Sequence, residues 1–165
     1  MPAGTKLALF DLDHTLLTGD SDVLWCEFLM ATGVVDATTF AAANADMDTR
    51  YRAGTANAQE FCEFYVSTLT NMPRARGEEL RRQFFNEWIR PRIPADAIAL
   101  VKQHQDAGDR VVMTTATNRF ITELTAEYFG IADLVATEVE EVDGIFTGRT
   151  RDVLNMREGK VVRIK

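Results

Sequence analysis

The sequence from residue 7 to residue 17 reads Leu7-Ala8-Leu9-Phe10-Asp11-Leu12-Asp13-His14-Thr15-Leu16-Leu17. Its apolar first part predicts a buried parallel strand over residues 6–10 that runs into a polar turn at Asp11. Asp11 and Asp13 are spaced i and i+2, so their side chains point to the same side. Ligands bind open α/β sheets in the crevice at the carboxyl ends of the strands. This stretch therefore predicts an α/β fold with a small acidic site at its first strand.

The two carboxylates would repel each other unless a positive charge lay between them. Mg²⁺ meets that need, because it prefers oxygen ligands and completes its shell with water and substrate phosphate. One aspartate can then attack phosphorus while the other handles the proton on the leaving group. The pair therefore indicates phosphoryl-transfer chemistry.

The remaining chain divides into a helical part and an alternating part. Four helical patterns follow one another between residues 18 and 94, and each breaks near a glycine or proline. After Pro94 we expect a helix over residues 95–106, a strand over 110–115, a helix over 119–129 and a strand over 134–136. A hairpin turn is predicted at Asp143-Gly144 and a last helix near Gly159. The interpretation is a core formed by residues 1–17 and 95–165, with residues 18–94 inserted as a helical cap.

Composition excludes several classes of protein. The 165 residues include 18 basic and 25 acidic side chains, a net charge of −7, so a nonspecific nucleic-acid surface is not expected. The apolar run before Asp11 is too short for a membrane span or a secretory signal. Cys26 and Cys62 both fall in helical patterns, which favours buried thiols. We therefore expect a cytoplasmic protein without a membrane or nucleic-acid partner.

The stretch from residue 7 to residue 17 resembles the first signature of haloacid-dehalogenase-type phosphatases. The chain is similar to the phosphoserine-phosphatase-like branch, subfamily IB of that superfamily. The resemblance implies a Rossmann-like parallel core with an inserted C1-type cap. It also implies Asp11 as the phosphorylated nucleophile and Asp13 as general acid and base, with the Asp11 carboxylate and the Asp13 backbone carbonyl on Mg²⁺. His14 stands where the family often carries Gly or Ser.

Two further signatures of the family are present. The strand that ends in Thr114-Thr115-Ala116-Thr117-Asn118 is similar to the second, which implies that Thr115 donates to a phosphate oxygen. Asn118, or the backbone N–H groups after it, would open the next helix at the substrate. The third signature is a lysine at a helix start, and Lys160 matches it better than Lys165.

The fourth signature, a strand ending in an acidic pair that completes the Mg²⁺ shell, does not occur before Lys165. The expectation is a core that lacks its C-terminal part, with a hydrophobic sheet edge exposed beside the Asp11 strand. That edge could join two copies of the chain. A truncated or catalytically silent binding module is therefore an alternative to an active enzyme. A receiver-type phosphoacceptor domain is disfavoured, because its acceptor aspartate would follow the acidic pair on a later strand.

Two positions bear on the substrate. Asp20 lies where the subgroup often has an acidic residue for a substrate ammonium, although it is equally suited to cap a helix. The position of the arginine that clamps a phosphoserine carboxylate corresponds to Tyr65. An ammonium partner without a carboxylate clamp fits an amino-alcohol phosphate, such as histidinol phosphate, better than phosphoserine.

Overall fold

The computed structural model of the protein describes residues 4–151. Helices and strands alternate after a helical insertion, as the sequence predicts. In chain order they are β1 (Leu7–Asp11), α1 (Ser21–Ala31), α2 (Ala37–Arg52), α3 (Ala58–Val66), β2 (Met72–Pro73), α4 (Arg74–Phe84), α5 (Ala95–Asp106), β3 (Arg110–Asn118), α6 (Arg119–Tyr128), β4 (Asp133–Val142) and β5 (Ile145–Arg151). The predicted α/β class is confirmed. The helix predicted near Gly159 lies outside the described residues.

The strands form a sheet in the order β1-β3-β4-β5-β2. β1 pairs with β3 and β3 with β4 in parallel, whereas β5 runs antiparallel to β4 and to β2. In the β1–β3 register Asp11 lies opposite Thr114. The carboxyl ends of the first two parallel strands therefore meet at one edge of the sheet.

The first strand is buried on one face only, which corrects the prediction of a fully buried strand. Ala8 and Phe10 are buried, and the Phe10 ring packs against His104 of α5. Leu7 and Leu9 point to the other face and are 47% and 48% exposed. β1 is the outermost strand of the described sheet, so its side chains alternate between a covered and an open face.

The insertion contains the four predicted helices. α1 begins at Ser21 because the Asp20 side chain accepts hydrogen bonds from the backbone N–H groups of Asp22 and Val23. Trp25 and Phe28 of α1 pack against Phe84 of α4, with ring centroids 5.1 and 5.4 Å apart. A π-helical turn at Phe85–Ile89 and a 3₁₀ turn at Arg90–Arg92 then lead to α5. No helix among residues 4–151 is both long and apolar enough to span a bilayer.

β4 and β5 form the predicted hairpin, and it reaches the inserted helices. Asp143 and Gly144 have φ of 52° and 77°, the left-handed pair that a tight two-residue hairpin turn requires. β4 extends over Asp133–Val142, well beyond the predicted residues 134–136. The two-residue strand β2, which the sequence pattern does not predict, pairs with β5. This pairing joins the predicted cap, residues 18–94, to the predicted core, residues 1–17 and 95–165. The division of the chain into these two parts stays a prediction.

Candidate active site

The loop after β1 is a tight turn around one carbonyl group. The backbone N–H groups of Thr15, Leu16 and Leu17 all donate to the Leu12 carbonyl, at 3.2, 3.0 and 3.0 Å. Leu12, Leu16 and Leu17 are each 1% exposed, so three buried leucine side chains anchor the loop. The polar residues between them are thereby held at the carboxyl end of β1.

His14 occupies the sharpest point of this loop. Its φ is 58°, in the left-handed region that glycine adopts at least cost, and its N–H donates to the Gly19 carbonyl at 3.0 Å. This conformation gives a physical reason for the glycine that the family often carries there. The His14 side chain is exposed.

The loop places Asp11 and Asp13 beside the end of β3. Asp11 is exposed, Asp13 is partly buried, and a shallow open depression is lined by Asp11, Leu12, Asp13, Thr114, Thr115 and Ala116. The Leu12 N–H donates to the Thr114 carbonyl at 3.2 Å, which extends the β1–β3 pairing into the loop. Three of the predicted catalytic residues, Asp11, Asp13 and Thr115, are therefore brought together.

The Asp13 carboxylate is held by three hydrogen bonds. The Ser21 N–H and the Ser21 hydroxyl donate to Oδ1 at 2.7 and 2.6 Å. The Thr115 hydroxyl donates to Oδ2 at 2.8 Å. Asp13 is thus tied both to the first turn of α1 and to the end of β3.

Asn118 begins helix α6. Its side-chain oxygen accepts from the Ile121 N–H at 3.0 Å, and the residue is 2% exposed. The predicted helix opening is confirmed, whereas contact of Asn118 with a substrate stays a prediction.

Asp20 serves as the N-cap of α1, one of the two roles that the sequence left open. Burial and the neighbouring Asp13 carboxylate raise the pKa of Asp20, and the hydrogen bonds from Val23 and Asp22 partly offset that rise. The capping role does not exclude an ammonium partner, which stays a prediction.

Tyr65 is buried where α3 packs on α1 and α2. Its hydroxyl donates to the Asn44 side-chain oxygen at 3.3 Å. Burial is the main cause that raises the pKa of Tyr65. Tyr65 also lines a groove between α1 and α2 with Val23, Glu27 and Asp48. Its predicted place among the substrate-binding residues is not tested by these contacts.

The predicted lysines, Lys160 and Lys165, lie outside the described residues. The positive group of the site therefore stays a prediction from the sequence.

Sequence reasoning missed three residues at this site, namely Ser21 as a partner of Asp13, Thr117 and Asp22. The Ser21 and Thr117 hydroxyl oxygens are 2.7 Å apart, and both residues are almost fully buried. Asp22 is 8% exposed, and burial, then Asp20 and Asp13, raise its pKa well above 3.8. One signal was available for Asp22, because buried Trp25, Cys26 and Leu29 follow it at i+3, i+4 and i+7.

The residues around Asp11 fit a magnesium ion. Within residues 4–151 no cluster of three or more acidic, histidine or cysteine side chains could enclose a metal unaided. Mg²⁺ does not need such a cage, because it commonly takes one or two carboxylates, several waters and a substrate phosphate. The exposed Asp11 carboxylate and the Asp13 backbone carbonyl offer that kind of oxygen donor set.

The arrangement is that of an α/β enzyme with an acidic site at the carboxyl ends of its parallel strands. The model of the haloacid dehalogenase-like hydrolase family matches residues 8–165. The chain belongs to that family.

Known proteins of similar sequence and structure agree with this assignment. A histidinol-phosphatase from Neisseria meningitidis serogroup C (strain 8013) is 35% identical over 160 residues, which are 96% of this chain and 72% of the relative. The crystal structure of a protein of unknown function from Bordetella pertussis Tohama I has a TM-score of 0.93 and 40% identity, over 97% of this chain and 73% of that one.

A phospho-aspartyl intermediate analogue of phosphoserine phosphatase has a TM-score of 0.66 and 17% identity, over 97% of this chain and 72% of that one. At that identity the likeness shows the fold alone. The family model and the histidinol-phosphatase relative confirm the predicted family and the enzyme class, a phosphatase, and the solved structures confirm the fold class. The roles predicted for single residues stay predictions.

Proposed function

We propose that this protein is a Mg²⁺-dependent phosphatase of small phosphate monoesters that forms an aspartyl-phosphate on Asp11. The observation that carries the proposal is the position of Asp11. Its carboxylate is exposed at the carboxyl end of β1, in a depression shared with Asp13 and Thr115. A phosphoryl group in that depression would meet a nucleophile, a proton donor and a hydroxyl donor.

In the first step an Asp11 oxygen forms a bond to phosphorus, and the bond from phosphorus to the ester oxygen breaks. Asp13 gives its proton to that leaving oxygen. In the second step Asp13 takes a proton from water as the water oxygen attacks phosphorus, and inorganic phosphate leaves Asp11. The 2.8 Å bond between Thr115 and Asp13 supports the geometry, because it keeps Asp13 at the depression.

Asp11, through its carboxylate, and Asp13, through its backbone carbonyl, would hold the magnesium ion. Bound Mg²⁺ neutralises negative charge on the phosphoryl oxygens and on the carboxylate that approaches them. Lys160 is proposed to add a second positive charge.

We propose an amino-alcohol phosphate, with histidinol phosphate as the leading candidate, as the substrate. The histidinol-phosphatase relative supports this choice, as does the acidic residue Asp20 before the first turn of α1. Among the described residues, the two arginines nearest to Tyr65 in sequence before it are already paired. Arg50 contacts Glu60 and Arg52 contacts Asp48, each at 3.1 Å. Neither is therefore available, without breaking an ion pair, to clamp a substrate carboxylate.

A panel of phosphate esters tests the substrate. Purified protein would be assayed with Mg²⁺ on histidinol phosphate, phosphoserine, ethanolamine phosphate and glycerol phosphate. We expect kcat/KM to be about tenfold or more higher for histidinol phosphate than for phosphoserine, because Tyr65 stands at the position of the arginine that would clamp the phosphoserine carboxylate. A preference of that size for phosphoserine would refute the substrate. No Mg²⁺-dependent turnover of any ester would favour the silent binding module instead.

Two further proposals concern the setting of the enzyme. The cytoplasm is the proposed location, supported by two buried cysteine thiols that form no disulfide. Association of two copies through the outer edge of β1 is supported by the exposure of Leu7 and Leu9. Light scattering on the purified protein tests the association.

A further inference from the structure

A closed ring of hydrogen bonds lies behind the Asp13 carboxylate. From Oδ1 it runs to the Ser21 hydroxyl at 2.6 Å and on to the Thr117 hydroxyl at 2.7 Å. The Thr117 N–H then donates to the Thr115 hydroxyl oxygen at 3.1 Å, and Thr115 donates back to Oδ2 at 2.8 Å. Ser21, Thr115 and Thr117 are each at most 2% exposed, so water does not compete for these bonds.

The number of hydroxyl protons fixes which group is the donor in each hydrogen bond of this ring. A hydroxyl group carries one proton, and the Ser21 proton is used in the bond to Asp13. The 2.7 Å contact between Ser21 and Thr117 must therefore be a bond that Thr117 donates. Once its proton is used there, Thr117 can only accept from any further partner.

Asp22 is that further partner. Asp22 forms a side-chain hydrogen bond with Thr117 and is a buried residue of the first turn of α1. Burial, and then the neighbouring Asp20 and Asp13 carboxylates, raise the pKa of Asp22 well above its usual value despite the opposing effect of the Thr117 hydrogen bond, so the neutral acid is favoured. A neutral carboxyl can donate to Thr117, as the proton count requires.

We propose that Ser21, Thr117 and Asp22 are positioning residues for Asp13, acting as a buried relay that fixes its carboxylate for proton transfer. The proposal rests on the proposed function, because it assigns Asp13 the proton of the leaving group. The relay connects helix α1 to Asp13, the proposed general acid, through side chains that need not touch the substrate.

The first test removes one hydroxyl group and compares two leaving groups. Thr117→Val keeps the side-chain shape and the backbone N–H but removes the bond to Ser21. Thr122→Val is the matched control, because Thr122 is equally buried and its hydroxyl bonds only to backbone carbonyls at the start of α6. For an alkyl phosphate, whose leaving oxygen needs a proton, we expect Thr117→Val to lower the single-turnover rate constant of aspartyl-phosphate formation about tenfold, with KM within about twofold.

The same rate constant should fall much less, about threefold or less, with p-nitrophenyl phosphate, whereas the later hydrolysis of the aspartyl-phosphate, which also uses Asp13, should slow equally for both substrates. The nitrophenolate is a stable anion and leaves without protonation. A purely structural defect would lower the rate constant of aspartyl-phosphate formation equally for both substrates. Equal losses of that rate constant on the two substrates, or an equal loss in Thr122→Val, would overturn the proposal.

A second test uses rescue by conservative variants. Thr117→Ser keeps the hydroxyl and should recover most of the kcat that Thr117→Val loses. Asp22→Asn keeps a donor for Thr117 and should recover most of the kcat that Asp22→Leu loses. If Asp22→Asn is as impaired as Asp22→Leu while both remain folded by circular dichroism, Asp22 does not act through a donated hydrogen bond.

A crystal structure of Ser21→Ala separates the relay from the proposed function. The relay predicts that the Asp13 carboxylate rotates away from its present position in that variant. An unmoved Asp13 would contradict the relay whether or not the protein hydrolyses phosphate esters. Absence of turnover in the unmodified protein, together with a rotated Asp13 in Ser21→Ala, would contradict the proposed function and leave the relay supported.

Discussion

The Thr115 hydroxyl donates a 2.8 Å hydrogen bond to the Asp13 carboxylate, although the two residues are 102 positions apart in sequence. The parallel pairing of β1 with β3 makes this contact, since Asp11 lies opposite Thr114 and both strands end at the same edge. The contact gives Thr115 a partner in the free protein. A phosphate oxygen that enters the site has to compete with Asp13 for the Thr115 proton.

Asp13→Asn should separate the two chemical steps. The asparagine cannot take a proton from water, so an aspartyl-phosphate formed on Asp11 should be hydrolysed slowly. With p-nitrophenyl phosphate we expect a burst of nitrophenol, then turnover about 10²-fold or more below the unmodified rate. Rapid quench and intact-mass spectrometry would detect the phosphorylated protein. Full turnover without any accumulated phosphoprotein would contradict the role assigned to Asp13.

Asp11→Asn should abolish both turnover and phosphoprotein formation. The amide is neutral and a poor nucleophile, so the bond to phosphorus does not form. Loss of activity by at least about 10³-fold is expected, measured with the best substrate of the panel. Asp46→Asn is the control, since Asp46 is an exposed aspartate on α2 and should keep full activity. Equal activity of Asp11→Asn and the unmodified protein would end the proposed mechanism.

Asp22 should make the protein less stable as the pH rises. Its pKa is higher in the folded protein than its usual value of 3.8, so the folded state binds more protons than the unfolded state above that pH. The free energy of unfolding should therefore fall with pH from about 4 upward, by at most about 1.4 kcal/mol per pH unit from this residue, until the folded pKa is passed.

Asp22→Asn removes this titration. Its free energy of unfolding, relative to the unmodified protein, should rise between pH 4 and pH 7 in urea titrations at constant ionic strength. The same offset at every pH in Asp22→Asn would show that Asp22 does not hold an excess proton when folded.

Gly148 should tolerate no side chain, because β5 passes directly against the residues after α3. Gly148 has φ of 84°, and a Cβ there would overlap the Thr70 side chain. Gly148→Ala should lower the free energy of unfolding by about 2–4 kcal/mol, measured in urea. Gly144→Ala in the same hairpin is the matched control. Gly144 has φ of 77° but open space around it, so only the backbone cost of about 1 kcal/mol should appear. Equal losses in the two variants would remove the steric argument.

Local patterns were sufficient to predict the strand ends that form the site. Asp11 follows a run of apolar residues, and Thr115 lies in a second run, so a parallel sheet brings both to one edge. The hairpin was equally readable from Asp143-Gly144, whose backbone adopts the left-handed conformation that such a turn requires.

Features that depend on contacts between distant segments were not predicted. β2 has two residues, too few for any periodic signal, and it exists because β5 offers it a partner. Asp22 stands in the first turn of α1, where acidic residues are common, and its spacing from Trp25 and Leu29 indicates burial but not the contact with Thr117.

The pairing of β2 with β5 limits how the inserted helices can move relative to the sheet. An insertion connected to the core only at its two chain ends could move as a rigid body. Here the β2–β5 pairing adds a third connection, between α3 and α4. A rigid-body movement of the inserted helices would break the β2–β5 hydrogen bonds or move the β4–β5 hairpin with them. The least anchored member is α2, which buries only Met47 of its sixteen residues. The start of α1, which holds Asp13 through Ser21, therefore belongs to an insertion that is tied to the sheet at three places.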